Sequence, residues 1–175
     1  MLIIEIFLFI PLVFICYLIS TGIHESGHGF FVKFTNNKLI ELRLGRGRRN
    51  EYLFKIGDLE VKKLFFLSGS RALWSFNTWD NFKREGVLIS LGGCIANFLT
   101  FIVSLPIGLF FRFLSIEIGA YFFLVLAVIS AFQMFVNLLP IQGFDGGQVI
   151  KYSSNPKEVL IRKQIEFNKY YEEEN

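Results

Sequence analysis

Three long stretches without a charged side chain constrain this sequence more than any other feature. They cover residues 6–24, 86–111 and 118–144, and each is long enough to cross about 30 Å of hydrocarbon as a helix. One such stretch could be a buried core helix, but a chain of 175 residues that is 53% hydrophobic has too little polar chain to cover three. The sequence therefore predicts a membrane α-helical protein with three transmembrane helices in a lipid bilayer.

The basic residues are unevenly distributed along the chain. They are concentrated in segment 36–85, whereas the connection between the second and third stretches carries only Arg112. Because positively charged loops tend to stay in the cytoplasm, we expect segment 36–85 on the cytoplasmic side and the N-terminus outside. The net charge of +3 follows from this local concentration and does not indicate a nucleic-acid partner. These patterns predict a multi-pass protein of the cell membrane.

The segment between the first and second helices has strand character. Helix one is predicted over 2–34, and residues 38–44 alternate polar and apolar at several positions. Residues 52–56 and 59–61 flank a Gly-Asp pair that is typical of a two-residue hairpin turn. Segment 64–79 is apolar and contains two Trp residues, which favours the membrane interface. We therefore expect a membrane-associated β-hairpin region between helices one and two.

The remaining hydrophobic stretches predict helix two over about 87–111 and helix three over about 118–139. Small residues in 92–97 of helix two would let a neighbouring helix approach closely. After the third helix, Asn155-Pro156 resembles a helix start and predicts a short helix over about 156–170. We divide the chain into a core, 1–150, and a cytoplasmic tail with a short helix, 151–175.

The two histidines of the chain lie four residues apart at the end of the first hydrophobic stretch. His24 and His28 would share one face of a helix, where two imidazoles can bind one zinc ion. Glu25 takes the position of the general base in the pattern H-E-x-x-H. The alternative is that these polar residues only mark the membrane surface, but ionisable residues inside a membrane helix are costly and indicate function. His24, His28 and Glu25 are therefore candidate site residues.

A catalytic zinc ion with three protein ligands needs one more ligand beside the two histidines. Asp145 is the first charged residue after the third hydrophobic stretch. If the three helices alternate in direction, Asp145 lies near the same membrane face as the histidine pair, whereas Glu5 and Glu117 lie near the opposite face. Gly143, Gly146 and Gly147 around Asp145 would permit an irregular backbone there. Asp145 is the predicted third ligand.

The two motifs together resemble the site-2 protease family of intramembrane zinc metalloproteases. This family joins H-E-x-x-H on one core helix to N-x-x-P-x-x-x-x-D-G on the third, and the chain matches both in order, at 24–28 and 137–146. The resemblance covers residues 1–150 and implies the minimal three-helix core of the family. Helix two of the family usually carries a Gly-Pro-x-x-Asn element; this chain keeps Asn97 but lacks the proline, which leaves the role of Asn97 open.

The resemblance implies hydrolysis of peptide bonds in or near membrane-spanning segments of substrate proteins or peptides. Zinc would polarise the scissile carbonyl and lower the pKa of its water, and Glu25 would take the proton of that water. Asn137 would hydrogen-bond the substrate backbone or the oxyanion; a helix–helix hydrogen bond is the equally weighted alternative. Strand-like segment 38–61 offers an edge to an unwound substrate, or has only a packing role.

Two other classes of function remain as alternatives. A membrane protein that transports or senses zinc would use the ligands but leave Glu25 without a role. A catalytically silent relative that binds metal or membrane peptides would fit the fold, although every expected catalytic position is filled. The sequence contains no room for the regulatory domains that many family members carry, so we expect regulation through a membrane partner or through substrate availability.

Overall fold

The computed structural model describes residues 2–46, 52–64, 70–77 and 81–172. The predicted interfacial stretch at 64–79 lies partly outside these residues. In chain order the elements are α1 (Leu2–Phe34), β1 (Lys38–Leu44), β2 (Tyr52–Ile56), β3 (Leu59–Lys62), β4 (Arg71–Ser75), α2 (Phe82–Phe113), α3 (Glu117–Asn137), α4 (Asp145–Ser154) and α5 (Pro156–Glu172).

Three helices are long and apolar enough to span a membrane, as the sequence predicts. The candidate spans are Phe9–Phe34 in α1, Phe82–Phe113 covering α2, and Glu117–Asn137 covering α3. Large apolar side chains cover the outside of this bundle: Val128 and Phe132, for example, are 67% and 68% exposed. Polar side chains such as Ser20, Asn97 and Ser130 are instead fully buried between the helices. A helical bundle of this kind suits a hydrocarbon environment, where backbone groups must pair within each helix.

Helices α1 and α2 approach each other backbone to backbone. A Cβ atom built on Gly92 would lie 2.7 Å from the carbonyl oxygen of Gly27, and a Cβ on Gly27 would overlap the carbonyl oxygen of Gly92. The prediction that small residues in helix two allow close helix packing is confirmed. This contact lies next to His28 and holds the first two helices in register.

A four-stranded sheet with strand order β2-β3-β1-β4 follows α1. β2 and β3 form an antiparallel pair around a turn in which Gly57 has a φ of 58°, so the predicted hairpin is confirmed. β1 pairs in parallel with β3 and antiparallel with β4. The sequence prediction missed β4, in which Trp74 packs with Val32 and Ile89 in the core.

Helices α4 and α5 pack at the end of the bundle that carries the sheet. Tyr152 of α4 is 1% exposed, and its ring fills the space where Gly86 of α2 has no side chain. Lys163 of α5 places its Nζ atom 3.8 Å from the centre of the Trp74 ring, a distance at which cation–π attraction operates. The short helix predicted in the tail is confirmed, and α4 runs across the boundary predicted between residues 150 and 151.

Candidate metal centre

Helix α1 places His24 and His28 on one face, turned towards the interior of the bundle. Each residue is 7% exposed. Their Nε2 atoms lie 3.2 Å apart, and the two rings stand nearly perpendicular, at 86°. Two ring nitrogens at this separation can both reach a metal ion placed between them.

Asp145 approaches the same point from α4. Its Oδ2 atom lies 3.2 Å from Nε2 of His24, and its Oδ1 atom lies 3.4 Å from Nε2 of His28. Burial alone would raise the pKa of Asp145, but hydrogen bonds and charge from the two histidines outweigh it and hold the pKa well below the ordinary value. Asp145 therefore presents an ionised carboxylate, the form that binds metal ions.

The three side chains form a cluster that fits a divalent metal ion. Their ligand atoms all lie within 4.8 Å of one another, and two imidazoles with one carboxylate are a donor set of catalytic metal sites that keep a position open. The space beside them depends on Gly93 of α2, where a Cβ atom would lie 2.5 Å from Nε2 of His24 and 2.6 Å from Nε2 of His28. No larger residue at position 93 would leave both imidazoles in place.

A tight backbone path brings Asp145 back to the histidines after α3 ends. Gly143 has a φ of 103°, a conformation that favours glycine. Gly146 and Gly147 were expected to make the backbone irregular, but both lie in the first turn of α4. They are needed for another reason, because a Cβ on either would overlap a main-chain carbonyl, that of Leu138 or of Ile141.

Glu25 lies directly after His24 and is 8% exposed. It is three residues from His28, so the two project on the same side of α1. Within residues 2–46, 52–64, 70–77 and 81–172, no hydrogen bond or salt bridge occupies its carboxylate. A buried carboxylate of this kind can accept a proton from a water beside the metal position.

Asn137, the other predicted site residue, ends α3 and is half-buried. Its side chain makes no hydrogen bond to the triad or to any other residue of the described ranges. The structure therefore does not join Asn137 to the ligand cluster, and its role in substrate binding stays a prediction.

Several contacts behind the ligands were not predicted. Cys94 places its sulfur 3.4 Å from Oδ2 of Asp145, the carbonyl oxygen of Ile89 lies 2.7 Å from Nδ1 of His28, and Asn97 lies 3.1 Å from Nδ1 of His24. Asn97 and Gln133 were visible in the sequence as amides inside hydrophobic stretches. Sequence periodicity could not show that they meet behind one histidine, because they come from different helices.

Comparisons with protein-family models, with curated proteins and with solved structures found no match to this chain. The resemblance to the site-2 protease family therefore rests on the two motifs alone.

Proposed function

We propose that this protein is an intramembrane zinc metalloendopeptidase that hydrolyses peptide bonds in or near membrane-spanning segments. The observation that carries the proposal is the convergence of His24, His28 and Asp145 within 4.8 Å, with Glu25 buried beside them. The three candidate ligands come from two separate elements, α1 and α4. The backbone path through Gly143, Gly146 and Gly147 brings Asp145 to the histidines. A cluster of ionisable groups inside an apolar bundle is costly unless it serves a function.

The position of the cluster supports action within the bilayer. His24 lies well inside the candidate span Phe9–Phe34, roughly 15 Å along the helix from its end. We propose that the three helices cross the cell membrane and that the sheet, α4 and α5 lie on the cytoplasmic side. The N-terminus would then be outside, and the site would be reached from the cytoplasmic half of the bilayer.

Zinc is the proposed metal because the H-E-x-x-H pattern at 24–28 with a carboxylate as third ligand is typical of zinc metalloproteases. When bound, zinc would supply a Lewis acid for the scissile carbonyl and would acidify a water molecule. Glu25 would take the proton of that water and later deliver a proton to the leaving amine. His24, His28 and Asp145 would hold the ion, and Asn137 would bind the substrate backbone or the oxyanion.

The sheet offers a way to hold an unwound substrate. β2 lies at one edge of the sheet and all of its residues are exposed, including Leu53, Phe54 and Ile56 at 52%, 51% and 66%. Apolar side chains on an exposed strand suit contact with lipid, and an open edge can pair with an extended peptide. We propose that a membrane peptide, unwound at its cleavage site, adds to this edge.

The deciding experiment compares zinc content and peptide cleavage for the purified full chain and Glu25→Gln, using several transmembrane peptides in lipid nanodiscs. We expect wild type to cleave, and Glu25→Gln to bind zinc equally well but not to cleave. Ser26→Ala is the matched control, because among the described residues the Ser26 hydroxyl donates to the carbonyl of Gly22 in its own helix and to no other group. The control should retain both zinc and cleavage.

Two other results would contradict the proposal. If wild type and Glu25→Gln both bind zinc and neither cleaves any peptide, the protein is better described as a membrane metal- or peptide-binding protein. If neither binds zinc while the fold is intact, the metal centre itself is wrong.

A further inference from the structure

The two histidines of the metal centre are held from behind by chemically different groups. Nδ1 of His28 lies 2.7 Å from the backbone carbonyl oxygen of Ile89. A carbonyl oxygen can only accept a hydrogen bond, so Nδ1 of His28 carries a hydrogen. In the neutral ring this contact leaves the lone pair on Nε2, the nitrogen that faces Asp145.

His24 has no such fixed partner. Its Nδ1 atom lies 3.1 Å from Nδ2 of Asn97, a side chain that is 0% exposed. An amide nitrogen donates, so in this arrangement Nδ1 of His24 accepts and its hydrogen sits on Nε2, the nitrogen that faces Asp145. A protonated Nε2 cannot bind a metal. Metal binding through Nε2 requires a hydrogen on Nδ1 and hence an acceptor on Asn97.

Rotating the Asn97 amide by half a turn provides that acceptor and gives up the present 3.4 Å hydrogen bond from Asn97 Nδ2 to Oε1 of Gln133. Asn97 Oδ1 then accepts from His24, and Nδ2 takes the present place of Oδ1, which lies 3.5 Å from the Ser20 hydroxyl. Ser20 donates to Oε1 of Gln133 at 2.7 Å, and its oxygen has two lone pairs, one for Asn97 and one for the Ser130 hydroxyl 2.9 Å away.

The same chain of hydrogen bonds continues to a fixed end. Nε2 of Gln133 donates to the hydroxyl of Thr21 at 2.9 Å, and that hydroxyl donates to the backbone carbonyl of Tyr17 at 2.8 Å. Each step from His24 to the Tyr17 carbonyl then pairs a donor with an acceptor. Connected pairs of this kind stabilise a polar network in a dry interior.

We infer that Asn97 is a positioning residue that sets the protonated nitrogen of His24 and must turn its amide oxygen towards the ring for His24 to bind the metal. Residues Ser20, Gln133 and Thr21 orient Asn97 from the other side. This inference rests on the proposed metal centre but not on the proposed peptidase activity. It assigns to Asn97 the role that hydrogen-bond acceptors play behind metal-bound histidines in general.

Substitutions at position 97 distinguish the effect of a hydrogen-bond acceptor behind His24 from the effect of side-chain volume. Asn97→Asp always presents an acceptor to His24, whereas Asn97→Leu presents none and fills a similar volume. We expect Asn97→Leu to bind zinc about 10- to 100-fold more weakly than wild type, the usual cost of losing such a partner, and Asn97→Asp to bind at least as tightly as wild type. Thr100→Val is the control, since the Thr100 hydroxyl donates only to the Ala96 carbonyl of its own helix.

The measurement is zinc affinity by chelator competition on the purified full chain, together with the visible absorption spectrum of the Co²⁺-substituted protein. The Co²⁺ bands should change in Asn97→Leu and stay unchanged in Thr100→Val.

Equal zinc affinity and an unchanged spectrum for Asn97→Leu would overturn the inference, as would an equal loss in Asn97→Asp and Asn97→Leu. If Asn97→Leu does not fold, Gln133→Leu replaces it; weaker zinc affinity and altered Co²⁺ bands would support the inference, and wild-type values would overturn it.

The outcome is distinguishable from failure of the proposed function. A wild-type protein that binds zinc but cleaves no peptide would contradict the peptidase, and the affinity series would still decide the role of Asn97. A wild-type protein that binds no zinc would overturn both.

Discussion

The two ends of the helical bundle differ in how closely their glycines approach a neighbouring helix. At the metal end, a Cβ on Gly27 would overlap the carbonyl oxygen of Gly92, and Gly93 lies against both imidazoles. At the far end, a Cβ on Gly108 would lie 2.9 Å from the Leu124 side chain and 3.0 Å from its backbone nitrogen, and one on Gly119 would lie 3.1 Å from the Phe111 ring. A contact near 3 Å is relieved by a shift of a few tenths of an ångström, whereas an overlap with a main-chain oxygen is not. The metal end is therefore the less tolerant of added atoms, as a site that must hold ligands in fixed geometry requires.

The largest effect is expected for Gly93→Ala. The added methyl group would lie 2.5 Å from two ring atoms of His24 and 2.6 Å from Nε2 of His28, so at least one imidazole must leave its position. Overpacking of this kind costs about 1–3 kcal/mol, which corresponds to a roughly 5- to 150-fold loss of zinc affinity if it falls entirely on the site. Chelator competition measures this change in zinc affinity. Zinc affinity equal to wild type would show that the imidazoles do not occupy the space beside Gly93.

An effect of similar size, on the stability of the fold rather than directly on the metal site, is expected for Gly27→Ala. Its methyl group would meet the Gly92 carbonyl and lie 2.6 Å from Cβ of Ala96, which forces α1 and α2 apart. We expect a loss of about 1–3 kcal/mol in the free energy of unfolding and reduced peptide cleavage, because the helix that carries the histidines is displaced. Thermal unfolding in detergent and cleavage in nanodiscs test this. A wild-type melting temperature would mean that the two helices are not in backbone contact.

Gly119→Ala at the far end should have a weak effect. The Phe111 ring needs to move by only a few tenths of an ångström, so we expect a loss under about 1 kcal/mol, at the low end of overpacking costs, and full zinc binding. Stability and zinc stoichiometry are measured on the same preparation as for Gly27→Ala. An effect as large as that of Gly27→Ala would remove the distinction between the two ends.

Gly22→Ala tests whether the metal end is sensitive to any change or only to added atoms in the helix contact. Gly22 lies in the same helix, but a Cβ there would only touch Leu59 at 3.5 Å, an ordinary contact distance. We expect unchanged zinc binding and a gain of up to about 1 kcal/mol in stability, because alanine favours helix more than glycine. A loss of zinc here would mean that α1 tolerates no substitution. The effect of Gly27→Ala could then not be attributed to its contact with Gly92.

Much of the fold could be predicted from the sequence because the signals are local. The three hydrophobic stretches, the strand pattern at 38–44 and the Gly57-Asp58 turn each act within a few residues, and all of these elements are found. β4 was missed because residues 71–75 are a short run without the alternation of polar and apolar residues that distinguishes a half-buried strand. Its pairing with β1 depends on residues far away in the chain.

The same division holds at the candidate metal centre. The spacing of His24 and His28 places them on one helix face by the geometry of the helix alone, and the residue types of the triad with Glu25 indicate metal chemistry. The sequence could not show that Gly93 makes room for the rings, that Ile89 and Asn97 hold them differently, or that Cys94 contacts Asp145. These contacts join α1, α2 and α4, and no periodicity within one helix specifies which faces meet.

The sequence by itself determined the class of structure and the candidate ligand residues, because hydrophobic length and helical spacing act along the chain. Only the tertiary structure decided that Asp145 reaches the histidines and that different groups lie behind the two rings, the Ile89 carbonyl and the Asn97 amide. Those outcomes depend on glycine-mediated helix contacts and on buried hydrogen bonds between distant residues, and such contacts exist only once the three helices have packed.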